Sequence, residues 1–304
     1  MRIVIAILIL TSSFTLAEEE TKTVILDSNA HLRSSFDYVP NDYKIGRTAI
    51  LNFEPLIANP YEARMGFIGQ PSEERLRMDI GASFDLIEIS KNGTFGVDMM
   101  TYTRLRSEGR FKFPVETTDY YFGINSAFRF NNNPIFGEMF NRDEQLRIRL
   151  AHISSHLIDG YTEDWVFLEK PFVYSREFLE VIYKVNHGFY DCYFPSIISP
   201  YVGVNYIFSK IPNNIESFEL ITGFDLHSYL TDDFYIKAGY NFTLKGFDDN
   251  YYGVSNAQAG IVYNFSENRA IFLGIYAHDG LSMHGMFFNQ KDSYIGIGTQ
   301  IYYF

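Results

Sequence analysis

The stretch Leu146-Arg-Ile-Arg-Leu-Ala-His152-Ile-Ser154-Ser155-His156 brings together residue types that can carry out acyl transfer. A serine needs a base to accept its proton, and the base needs a third group to hold its ring. In an extended chain alternate side chains share a face, so His152, Ser154 and His156 fall together, with Leu146, Ile148 and Leu150 below them. Residues two apart on a strand have Cα atoms about 6.5–7 Å apart, within reach of a His-to-hydroxyl hydrogen bond. Downstream, Tyr174-Ser-Arg-Glu177-Phe-Leu-Glu-Val181 places Glu177 on the face of Leu179 and Val181. The candidate catalytic set is therefore His152 as base, Ser154 as nucleophile and Glu177 as the group that orients the base. The opposite face carries Arg147, Arg149, Arg176, Glu180 and Lys184, which reads as a charge network inside a closed structure. The same polar outward residues also suit a strand end at the lipid headgroup level, where polar side chains cost little.

The elements that position these residues follow one pattern. From about residue 62 onward, segments of about ten residues alternate apolar and polar and are separated by turn residues. Phe234-Tyr-Ile-Lys-Ala-Gly-Tyr-Asn-Phe-Thr-Leu244 is the clearest, with an even-numbered apolar set against Lys237, Asn241 and Thr243. Twelve such strands are expected: 62–69, 77–90, 94–105, 118–131, 145–157, 174–186, 198–209, 216–229, 233–245, 252–265, 269–278 and 292–304. The even count, near-uniform length and alternation of short and long links favour a transmembrane antiparallel β-barrel over a soluble sandwich. Short periplasmic turns are expected at Lys91-Asn92-Gly93, Leu230-Thr231-Asp232 and Ser266-Glu267-Asn268. Longer extracellular loops are expected at 106–117, 158–173, 246–251 and 279–291. The links at 132–144 and 187–197 are too long for periplasmic turns and imply short inserted structure.

Met1-Arg2, the apolar run Ile3–Leu10 and a small residue at Ala17 read as a secretory signal peptide over 1–17. Residues 18–61, punctuated by Pro40, Pro55 and Pro60, alternate poorly and read as a periplasmic extension or plug; the barrel takes 62–304. A terminal Phe304, with Tyr302 two before it, resembles the assembly signal of bacterial outer-membrane barrels. These features place the chain in the outer membrane, with lipid, lipopolysaccharide and the barrel assembly machinery as its partners.

Composition supports that class and excludes others. The 304 residues include 29 Phe and 23 Tyr, which suits aromatic girdles at two membrane interfaces. A net charge of −12 argues against nucleic acid as a partner. Cys192 is the sole cysteine, so no intrachain disulfide supports the fold. There is no glycine-rich phosphate loop and no zinc cysteine cluster. His278, Asp279, His284 and Asp292 have metal-binding side chains but fall in an expected loop, where solvated polarity is the ordinary role.

Two resemblances add to this reading. His152-x-Ser154, followed by Glu177, resembles the outer-membrane phospholipase A and outer-membrane lipid A deacylase families. Both carry His-x-Ser on a lipid-facing strand, with Asn or Glu orienting the base. Ser155 stands where an Asn usually follows the nucleophile. The resemblance implies an esterase acting on lipid and admits a divalent cation such as calcium as cofactor. Separately, Phe53-Glu-Pro-Leu-Ile-Ala-Asn-Pro60 with Arg64, His152-Ile-Ser-Ser-His-Leu157 with Asp159, and Tyr174-Ser-Arg-Glu177 resemble an uncharacterised bacterial envelope family, domain-of-unknown-function family 1207. That family usually shows Gly-Asp after His-Leu, where this chain has Ile158-Asp159. The resemblance implies export and fold but no activity. Three functions remain open: a structural or solute-transporting barrel, a lipid esterase, and a surface receptor or adhesin working through loops 158–173 and 279–291.

Overall fold

The computed structural model describes residues 51–304 apart from 132–133, 191–192, 267–268 and 304. The signal peptide, most of the expected extension, Cys192 and Phe304 lie outside the described residues.

Twelve antiparallel strands close into a barrel. They are β1 (Gly66–Gln70), β2 (Arg75–Ser90), β3 (Gly93–Arg106), β4 (Val115–Phe130), β5 (Glu144–Leu157) and β6 (Tyr174–Val185). The second half is β7 (Ser196–Ile211), β8 (Phe218–Tyr229), β9 (Phe234–Phe247), β10 (Asn250–Ser266), β11 (Arg269–Leu281) and β12 (Lys291–Tyr303). Each strand pairs with its sequence neighbours, β7 joins β8, and β1 bridges β12 to β2, so the sheet closes on itself. Closure pairs the backbone without help from water, which a lipid-embedded wall requires.

The alternation works as the residue types dictate. Outward side chains such as Ile148, Leu150, Val204, Leu273, Ile295 and Ile297 are exposed, while their inward neighbours Arg147, Arg149, Asn205 and Phe272 are buried. Exposed aliphatics on the outside and buried charges on the inside are the inverse of a soluble sheet protein.

One connection departs from expectation. Residues 246–251 form no long loop: Asp248 and Asp249, both at positive φ (49° and 58°), make a two-residue turn between β9 and β10. Aspartate tolerates the left-handed region, so the pair supplies a tight hairpin without glycine. The long link 132–144 contains a 3-10 turn at Gly137–Met139, and 187–197 contains the short strand His187–Phe189, which pairs with Ser196–Ile198 of β7. Pro200, with no N–H to donate, sits where β7 passes from that partner to β6. β1 is only five residues long because the chain before it lies inside the barrel.

Two segments fill the bore. From below, residues 53–62 bury Phe53, Leu56, Ile57 and Ala58 against the inner wall. Wall side chains receive their backbone: Glu54 N donates to Gln145 (3.0 Å), Ile57 N to Asp225 (3.0 Å), and Lys184 donates to Glu54 O (2.7 Å). From above, the β11–β12 loop turns inward and buries Met283, Met286 and Phe287 among Tyr102, Tyr121, Ile153, Tyr174 and Phe178. The two segments touch, since the Tyr61 hydroxyl donates to Met283 O at 3.2 Å. Gly285 is required at this seat: a Cβ there would stand 2.3 Å from the Tyr174 ring.

Candidate active site

β4, β5, β6 and β7 lie side by side and form the wall that carries the site. The register sets His152 directly opposite Glu177, and Ser154 opposite Ser175 on one side and Tyr120 on the other. All of these belong to the outward face, at the end of the wall where β5 runs into the loop after Leu157. His152 Nδ1 and Glu177 Oε1 are 2.9 Å apart, with the two side chains 40% and 31% exposed. An ionised carboxylate only accepts, so this contact places the ring proton on Nδ1 and leaves Nε2 as the free basic nitrogen. Ser154 follows two positions further along the same face.

Glu177 has further neighbours that sequence reasoning missed. Ser175 Oγ donates to the same Oε1 at 3.0 Å. Ser209 of β7 stands opposite Glu177 in register and is exposed on the same outward face. Ser209 was concealed because uninterrupted alternation would turn it toward the lumen. His156, also outward, packs edge-on against Tyr120 with ring centroids 6.0 Å apart. Of these two outward histidines, His152 is the one in contact with Glu177.

Ser155 is turned the other way. It is buried, 3.3 Å from Thr117 Oγ1, and accepts from Met286 N at 3.2 Å. It seats the inward-turned loop and takes no part on the outer face. Beside it, Asp119 holds that loop twice, accepting from Gly285 N (2.7 Å) and lying 2.7 Å from His284 Nδ1. His278 belongs to β11, not to a loop, and pairs with Asn256 at 2.8 Å. Among the described residues no group of His, Cys, Asp and Glu side chains is arranged to hold a metal ion.

The expected charges lie inside the barrel, where carboxylates from other segments join them. Arg147 and Arg149 both reach Glu180 at 2.9 Å. Arg176 pairs instead with Glu219 (2.9 Å), and Lys184 with Asp225 (3.5 Å). The unforeseen member is Glu62, whose carboxylate takes Arg147 Nη1 at 2.9 Å and Nη2 at 2.5 Å. Burial pushes the Glu62 carboxyl up, yet Arg147 and Arg149 overcome that and hold it down at about 2. Tyr302 also faces inward: its hydroxyl bonds Gln300 (2.8 Å) and receives Lys237 (2.8 Å). The lipid-facing set of β12 is the odd-numbered one, with Ile295 and Ile297, so Tyr302 is a lumen residue.

Comparison with known proteins follows from this fold. The model of the family described as "Protein of unknown function (DUF1207)" matches residues 112–304. The chain belongs to that family. The DUF1207 match begins just before β4 and runs through β12. Among solved structures, outer membrane phospholipase A from Escherichia coli is similar at 12% identity and a TM-score of 0.46, covering 82% of this chain and 93% of that one. The translocator domain of the autotransporter NalP from Neisseria meningitidis is similar at 9% identity and 0.42, covering 79% and 84%. LpxR from Salmonella typhimurium is similar at 10% identity and 0.40, covering 76% and 88%. No curated relative matches the chain.

Proposed function

We propose that this DUF1207 barrel is an outer-membrane acyl-ester hydrolase whose site faces the lipid of the outer leaflet. One observation carries the reading: His152 and Glu177 meet at 2.9 Å on the outward face, two positions from Ser154. Polar side chains on a lipid-facing wall are costly, and a mutually bonded histidine and carboxylate beside a serine have a chemical use.

In the step we assign, Ser154 Oγ attacks the carbonyl carbon of an acyl ester while its proton passes to His152 Nε2. Glu177 keeps the ring turned and stabilises it once protonated. As the ester C–O bond breaks, His152 gives the same proton to the departing alkoxide oxygen, and the acyl group stays on Ser154. A water molecule then attacks the acyl-serine by the same route, giving a free fatty acid and restoring Ser154. The substrate class is an acyl ester of phospholipid or lipopolysaccharide, with calcium as a candidate cofactor.

Solute transport is less well supported, because residues 53–62 and 282–288 meet within the bore. The test is fatty-acid release by purified protein from mixed micelles of phospholipid or lipopolysaccharide, with calcium and with chelator. Release that disappears in Ser154→Ala is expected. No release from either lipid in either condition, or full activity in Ser154→Ala, rejects the proposal.

A further inference from the structure

The outer wall beside the base carries a feature that a simple ladder lacks. Along β7, Ile207 is buried and Phe208 is exposed, so strict alternation would send Ser209 inward. The register with β6 slips here: Ile207 stands opposite Phe178, but Ser209, two positions on, stands opposite Glu177, the next residue. One extra residue therefore lies in β7, a bulge that re-aims everything after it. Its effect is to bring Ser209 to the outward face at the point where Glu177 needs partners.

We infer that Ser175 and Ser209 are positioning residues that clamp the Glu177 carboxylate, so that His152 is held as the Nδ1–H tautomer with Nε2 toward Ser154; this rests on the reading of Ser154 and His152 as the acylating pair. A glutamate side chain on a lipid-facing wall has three rotatable bonds and little to pack against. His152 alone supplies one donor to a group that accepts several. Ser175 gives a second donor, on the very oxygen that meets His152 (3.0 Å and 2.9 Å). Ser209, opposite Glu177 in register and turned to the same face by the bulge, stands where a third donor would come from the other neighbouring strand. The carboxylate is thus held from β5 and β6, with the Ser209 hydroxyl of β7 brought beside it by the bulge. Second-layer hydrogen bonds of this kind orient a functional imidazole and typically matter by about 10–100-fold.

The experiment compares full-length protein with Ser175→Ala, Ser209→Ala, the double variant and Ser209→Thr. Two readouts are taken: ester hydrolysis, and the histidine ring nitrogen-15 spectrum in micelles, with the His152 signal assigned by its loss in His152→Gln. We expect kcat to fall about 10-fold in each single variant and about 50-fold or more in the double. KM should stay within twofold, and Ser209→Thr should recover most of the Ser209→Ala loss. The Nδ1–H tautomer of His152 should predominate in the native protein and become mixed in the double variant. An unchanged tautomer in the double variant overturns the clamp. So does a kcat within twofold of native. A native protein without hydrolysis, whose His152 tautomer still shifts in the double variant, retains the clamp and rejects the hydrolase reading instead.

Discussion

Glu62 grips Arg147 with both oxygens, at 2.9 and 2.5 Å, and so ties the segment ahead of β1 to the inner wall of β5. Both side chains are almost fully buried, and Glu180 shares the same guanidinium. Removing one partner of a buried, bonded pair leaves a charge without compensation and costs about 3–5 kcal/mol. Glu62→Ala should lower the urea midpoint of the barrel accordingly, read by the gel shift between folded and boiled protein. An unchanged midpoint would detach this segment from the stability of the barrel.

The same carboxyl gives a pH prediction. Its folded value, about 2, lies below the ordinary carboxylate range. A depressed carboxyl contributes stability that is fully present above that range and is lost as pH falls through the folded value. Native protein should therefore lose stability between about pH 4.5 and pH 2, and Glu62→Gln should lack this part of the loss. Parallel acid titrations of the two proteins would count against it.

Glu177→Gln keeps the shape of the orienting group but removes its charge and offers a donor where His152 Nδ1–H needs an acceptor. Exchanging a carboxylate for an amide in this role costs about 10⁴ in kcat in the serine protease example. A fall of about three orders of magnitude or more is expected here, with His156→Ala within about threefold of native. Reversed effects in the two variants would make His156 the base.

The lipid face is tested by Ile148→Arg. An arginine near the midplane of an outward-facing strand costs about 2–4 kcal/mol in a membrane barrel. Folding into vesicles should be weakened by that amount, whereas a water-facing surface would leave it almost unchanged.

Single-channel recordings test the filled bore. Native protein should show no steady conductance, and replacing 282–288 with a short glycine-serine link should not open it, because Glu62, Arg147 and Arg149 still span the interior. A conducting loop variant would show that this loop alone is the seal.

Much of this was legible in the sequence, because alternation is a local property. Phe234–Leu244 and Leu146–His156 show their two faces without reference to any partner, and His152 and Glu177 could be assigned to one side by parity alone. Features that depend on a neighbour were not legible. Ser209 reaches the outward face through a bulge, and no residue type announces where one extra position will be inserted. Tyr302 was assigned by its proximity to the end of the chain, but its place is set by which half of β12 is aliphatic. Glu62 shows no periodicity, and its carboxylate's partners Arg147 and Arg149 are 85 and more residues away. Residues 246–251 read as a longer loop, because Asp248 and Asp249 make a tight turn in the left-handed region without the glycine that would announce it.

Ser154 and Ser155 are consecutive residues that meet different surroundings, one on the outward face of the wall, the other supporting the inward-folded Met286. Nothing but the two-residue rhythm of β5 assigns each to its side. A single inserted residue just before Ala151 would exchange the two roles while leaving every residue type intact. The chemistry of this wall is thus written in counting as much as in composition, and its evolution should tolerate substitutions in β5 far more readily than changes in its length.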